Sequence, residues 1–150
     1  MQFPLLPLDS DKPCLTFHAE DVDFEVPQES ALAAWLLRVA EAEGHALGEI
    51  SYIFCSDEHL RHINVQYLQH DYYTDIITFP YEADGRIAGD MFISTERVAD
   101  NAQSNGADAE HEMRRVMVHG LLHLMGYGDK TSSEMAQMRS KEDFYLALWT

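Results

Sequence analysis

Glu49-Ile-Ser-Tyr-Ile-Phe-Cys-Ser-Asp-Glu58 carries the pattern from which the rest of the chain can be read. Its first seven residues are dense in β-branched and aromatic side chains, the composition of a central strand. Ser56-Asp-Glu58 then reads as a helix start, because a hydroxyl can accept from the first free amides and two acids suit the positive helix end. Leu60, Ile63 and Tyr67 give that helix an apolar stripe. Upstream, Leu32, Trp35, Leu36 and Val39 recur at helical spacing, with Gly44 as a stop. Leu15-Thr-Phe17 and the alternating Val22-Asp-Phe-Glu-Val26 before them read as strands. Downstream, Ile76-Ile-Thr-Phe79 is a strand that Pro80 confines to an edge or a strand end. Asp84-Gly85 is a hairpin signal and Ile87–Ser94 the return strand.

Three helices follow. One runs from Ser94 to about Asn105, and one from Asp108 to Met125 with Met113, Val116, Met117, Gly120 and Leu124 inward. The last starts at the capping box Thr131-Ser-Ser-Glu134 and turns Met135, Met138, Tyr145 and Leu146 inward. This order predicts an α+β fold, a small mixed β-sheet covered by about five helices.

Composition sets outer bounds. The 150 residues show no break in composition, so a single domain over 1–150 is expected, with residues 1–12 as a loose start. No apolar run approaches the roughly 20 residues that span a bilayer. The N-terminus lacks the basic start and apolar centre of a signal peptide. Cys14 and Cys55, two and far apart, read as ordinary reduced thiols of a cytoplasmic protein. The net charge of −16 argues against a broad electrostatic footprint for nucleic acid. Of ten Lys and Arg, five (Arg114, Arg115, Lys130, Arg139, Lys141) lie in the helix 108–125 or after it, as a solvated face or a local basic patch.

The chemistry concentrates in His119-Gly-Leu-Leu-His-Leu-Met-Gly-Tyr-Gly-Asp129. Two histidines four apart leave one helix face roughly 6 Å from each other along the axis, a spacing at which two imidazoles can hold one ion. Gly126 ends the helix, so the chain can fold back and bring Asp129 towards the pair. His119, His123 and Asp129 with an open position for water make the pattern of a catalytic zinc at a helix C-terminal end. The position after His119 is Gly120, not the glutamate of the common zinc proteases, so a base must come from elsewhere.

Four ordered blocks resemble the YbeY family of bacterial metal-dependent endoribonucleases implicated in ribosomal RNA maturation. They are Ile63-Asn-Val-Gln-Tyr67, Thr74-Asp-Ile-Ile-Thr-Phe-Pro80, Gly89-Asp-Met-Phe-Ile-Ser94 and His119-Gly-Leu-Leu-His-Leu-Met-Gly-Tyr127. The resemblance implies an α+β fold with one zinc ion in a cleft, single-stranded RNA as substrate, and the ribosomal subunit or assembly proteins as partners. Two departures stand out. The family's third metal ligand is a histidine where this chain has Asp129, and an arginine usual after the tyrosine of the first block is Leu68 here. Arg115, one turn before His119, is the expected substitute.

Asp90, a charge interrupting an apolar strand, is the first candidate for base or ligand partner, and Asp75 the next. Tyr72, Tyr73 and Tyr127 are candidates for stacking on unpaired bases. Two rival classes fit the same residues: a zinc hydrolase of a non-nucleic substrate, and a non-catalytic ribosome-assembly factor that uses the metal structurally.

Overall fold

A computed structural model describes residues 14–149. The elements are β1 (Cys14–Ala19), α1 (Glu29–Ala42), β2 (Leu47–Cys55), α2 (Asp57–Leu68), β3 (Ile76–Tyr81), β4 (Ile87–Ser94), α3 (Thr95–Ser104), α4 (Ala109–Leu124) and α5 (Ser132–Ala147). The four strands form one sheet in the order β1-β2-β4-β3. β1, β2 and β4 run parallel and β3 pairs antiparallel with β4, so the fold is α+β with a mixed sheet. The proposed loose start at 1–12 lies outside the described residues.

β2 is central, as its composition predicts, and its side chains alternate between two cores. Ile50, Tyr52 and Phe54 join Met91 and Ile93 of β4 in the main core, closed by residues of α1, α4 and α5. Cys55 turns the other way with Ile77, Phe79 and Phe92, under Leu60 and Ile63 of α2. Two buried polar atoms tie the main layer together. Tyr52 donates to the carbonyl of Met117 in α4 at 2.8 Å, and the Trp35 indole donates to the carbonyl of Tyr145 in α5 at 2.9 Å. Ser56 caps α2 by accepting from the His59 amide. Cys55 is a free buried thiol whose pKa burial pushes up to about 12; the Cys14 side chain lies outside the described residues. Among the described residues no helix is long and apolar enough to cross a membrane.

Three expectations need correction. Val22–Val26 is not a strand. Its alternation is real, since Val22, Phe24 and Val26 pack against the main core, but Phe24 lies on Phe54 with the rings tilted and their centroids 4.8 Å apart. The segment therefore lies over the sheet instead of pairing along its edge. Tyr67 is 63% exposed, meeting the sheet edge to face on Phe79, and Met135 is 51% exposed at the first turn of α5.

Gly89 marks the tightest backbone approach in the sheet. A Cβ there would stand 2.6 Å from the carbonyl oxygen of Phe79 on the neighbouring strand. Backbone held in a ladder cannot yield as a side chain can, so Gly89→Ala is expected to cost about 1–3 kcal/mol of stability, read as a lower urea midpoint at unchanged m-value.

Candidate metal centre

Helix α4 supplies two donors. Asp108 caps its start, accepting from the amides of Glu110 and His111. Gly120 lets the helix lie directly on the sheet, for a Cβ there would come within 2.6 Å of Ile76 Cδ1 and 2.7 Å of Met91 Sδ. That approach gives a packing reason for glycine at this position. His119 and His123 leave the last turns on one side, their rings edge to face with centroids 4.6 Å apart.

The loop after α4 brings the third donor. Gly126, at φ 105°, reverses the chain. Gly128 lies under the Glu134 carboxylate, which would stand 2.7 Å from a Cβ at that position. Glu134 also accepts from the amides of Lys130 and Thr131, while the Thr131 hydroxyl accepts from the Glu134 amide, so the predicted capping box fixes the loop as well as the helix. The Tyr127 hydroxyl donates to Glu43 at 2.6 Å. Asp129 Oδ2 thereby sits 3.1 Å from His123 Nε2 and 3.4 Å from His119 Nε2. The three donor atoms all lie within 4.8 Å of one another, a set that one divalent cation can share.

His119 has a second partner that the sequence did not reveal. Its Nδ1 lies 2.6 Å from Glu142 Oε2 on α5, and Glu142 is only 4% exposed. A carboxylate only accepts, so Nδ1 carries a proton there, which leaves Nε2 as the ring nitrogen that an ion could take. Burial alone would lower the His119 pKa, but Glu142 outweighs it and holds the imidazole above its ordinary value. The other Glu142 oxygen accepts from Arg115 at 2.8 Å, and the remaining arm of Arg115 reaches Asp143 at 2.6 Å. One signal existed. Glu142 falls on the inward stripe of α5 with Met138, Tyr145 and Leu146, where an unpaired acid would be out of place.

Two grooves meet at the donors, one of about 280 Å³ between α4 and α5 and one of about 300 Å³ towards the loop before β3. Asp75, His119 and Asp129 line both. Burial raises the Asp75 carboxyl above its ordinary value. The buried Asn64 donates to the Tyr72 carbonyl at 3.0 Å and so holds the loop that ends at Asp75. Leu68, at the position that the resemblance gives to an arginine, lines the second groove.

Asp90 is not brought to this centre. Neighbouring strand residues alternate faces, and Met91 is the one that meets α4. Asp90 accepts from the Tyr81 hydroxyl in a separate groove with Phe79, Phe92 and His62. Arg115 borders the α4–α5 groove, but both arms of its guanidinium are engaged. Tyr72 is exposed and lines the second groove, Tyr73 bonds Glu58, and Tyr127 is committed to Glu43.

An α+β domain with two imidazoles and a carboxylate gathered at the end of a helix defines a class: proteins with a compact site suited to one cation. The comparisons narrow it further. The sequence model described as Endoribonuclease YbeY matches residues 15–150, and the chain belongs to that family. Relatives carrying that name include one from Cytophaga hutchinsonii, 49% identical over 88% of this chain and 93% of its own. One from Parabacteroides distasonis is 45% identical over 89% and 94%. A Thermotoga maritima protein solved in solution shares the fold at a TM-score of 0.62, with 23% identity over 88% of this chain and 86% of its own.

Two outcomes follow from this geometry. Glu142→Gln removes the acceptor that orients His119, and divalent-metal affinity measured by chelator competition is expected to fall about 10–100-fold. Glu43 accepts from Tyr127, Tyr145 and Lys141, bonds that outweigh the opposing effect of burial and hold its carboxyl below its ordinary value. Its contribution to stability is then present above the unfolded carboxyl value and disappears as pH falls through the folded one. Glu43→Gln is expected to lower the urea midpoint at neutral pH, with the deficit closing under acid conditions.

Proposed function

We propose that this protein is a metal-dependent endoribonuclease that cuts single-stranded RNA, and that the whole chain acts as one catalytic domain. The observation that carries the reading is the meeting of His119, His123 and Asp129 at the junction of two grooves, with Asp75 bordering both. Family membership supports RNA as the substrate class, and the resemblance set out above supports ribosomal RNA maturation in the cytoplasm, with the ribosomal subunit or its assembly proteins as partners. Two imidazoles and one carboxylate suit zinc, one ion per chain.

When bound, such an ion supplies positive charge for a phosphoryl oxygen and acidifies a water. The chain's own residues do the rest. Glu142 keeps His119 in the tautomer that presents Nε2. The loop braced by Glu134 and Glu43 keeps Asp129 beside the rings. Asp75, its carboxyl raised by burial, accepts the proton from the attacking water, a role better suited to it than to Asp90 on the opposite sheet face. Tyr72, exposed along the groove, offers a face for an unpaired base.

A second reading has one observation in its favour. With Leu68 in the groove and Arg115 tied to two acids, neither cation expected from sequence is free to hold a phosphate. An RNA-assembly factor with a structural metal would fit that. Metal content and cleavage of single-stranded RNA separate the two. Under the nuclease reading, His123→Ala and Asp129→Asn lose metal, and Asp75→Asn keeps it, while in all three cleavage falls by about two orders of magnitude or more. Full activity in His123→Ala overturns the site. Stoichiometric metal without turnover in the wild type hands the case to the assembly factor.

A further inference from the structure

The groove between α4 and α5 holds a carboxylate that the proposed reaction does not use. Glu112 is 7% exposed, and no hydrogen bond or ion pair engages its side chain among the described residues. It borders the groove on the same α4 face as Val116 and His119, because positions i, i+4 and i+7 fall on one side of a helix. Met135 and Met138 of α5 form the apolar wall opposite, and Arg139 stands at the rim with no hydrogen bond or ion pair among the described residues. Among the described residues the Glu112 oxygens are not buried atoms lacking a partner, so they face the open groove and are free to accept from a ligand that brings donors.

We propose that the α4–α5 groove is a guanine-binding subsite for the nucleotide next to the cleaved bond, with Glu112 as the specificity-determining residue; this rests on the nuclease reading. An ionised carboxylate accepts and cannot donate. On its Watson–Crick edge guanine presents two adjacent donors, the N1 imino and N2 amino groups, which match the two carboxylate oxygens. The corresponding edges of adenine, cytosine and uracil each present donors at a single atom, beside acceptors that a carboxylate repels. Met135 and Met138 supply sulfur and methylene surface for the base face, and Arg139 a cation for the adjoining phosphate. Glu112 lies seven residues from His119, about 10 Å along the axis, a reach suited to a base one nucleotide removed from the metal donors.

The test is binding of the nucleoside 5′-monophosphates to the zinc-loaded full-length protein by calorimetry. Guanosine monophosphate is expected to bind about tenfold tighter than the adenosine, cytidine or uridine compound, because a site built for two donors rejects a ligand offering fewer. Inosine monophosphate, lacking the amino group, is expected to fall between them. That comparison needs no variant. Glu112→Gln, nearly the same shape, is expected to bring all four within about twofold while zinc content holds. Equal binding of guanosine and inosine compounds overturns the proposal, as does guanine preference surviving in Glu112→Gln. Displacement of nothing by nucleotides but saturable binding of an arginine amide would reassign the groove to a protein partner and likewise overturn it. Guanine selectivity without RNA cleavage would leave the subsite standing and remove the nuclease. Cleavage with no guanine preference in binding would do the reverse.

Discussion

Glu142 holds two residues of α4 at once, and the rest of the centre depends on that grip. One oxygen fixes the His119 ring; the other takes Arg115. A carboxylate this deeply buried is costly unless both oxygens are satisfied, so α5 has one register in which it can seat against α4. Seating α5 has further consequences. It sets the Thr131–Glu134 box that closes the Asp129 loop, and it brings Tyr145 and Lys141 onto Glu43. It also forms the far wall of the groove with Met135 and Met138. Packing between helices thus contributes to how the donors are arranged.

Electrostatics then explains why the arrangement is suited to a cation. Asp75, Glu112, Asp129 and Glu142 all border one small groove, against two arginines, one of them neutralised by acids. In a chain of net charge −16 nothing distant relieves this. A divalent ion held by the imidazoles and Asp129 would, and the same charge would offset the repulsion a phosphate backbone meets on approach. Asp129 in place of a third imidazole pushes in that direction too, giving the site one more negative charge for a cation to balance.

Much of this was legible in the chain. The β-branched run of β2, the caps at Ser56, Asp108 and Thr131, and the Gly126 reversal are local signals, and each acts through neighbours within a few residues. The histidine pair is local in the same sense, since helical periodicity alone puts both rings on one side. What escaped was set by contacts across the fold. Val22–Val26 has the alternation of a strand because alternate residues are partly buried, yet burial by the sheet face and pairing at its edge give the same pattern. Asp90 interrupts an apolar strand in the same way whether it points at α4 or α2. Only the register of β4, with Met91 under Gly120, decides between them. Glu142 and Glu112 are acids on helix stripes, and one-dimensional spacing does not tell a tethered acid from a solvated one.

The two grooves meet at Asp75, His119 and Asp129 and depart from them in different directions, one along the α4–α5 seam and one past Leu68 and Tyr72. An extended strand lying through both would have its backbone nearest the donors at the crossing and its bases in unlike surroundings on either side. On one side stands the exposed Tyr72 ring, which would accept any base on its free face by stacking. On the other stands a buried carboxylate that accepts only from donors. Leu68 leaves the tyrosine side without a guanidinium, whereas Arg139 supplies the carboxylate side with one. The position that the resemblance gives to an arginine is Leu68 here, and under the proposed subsite a phosphate would meet Arg139 of α5 instead, on the same helix whose Glu142 orients His119.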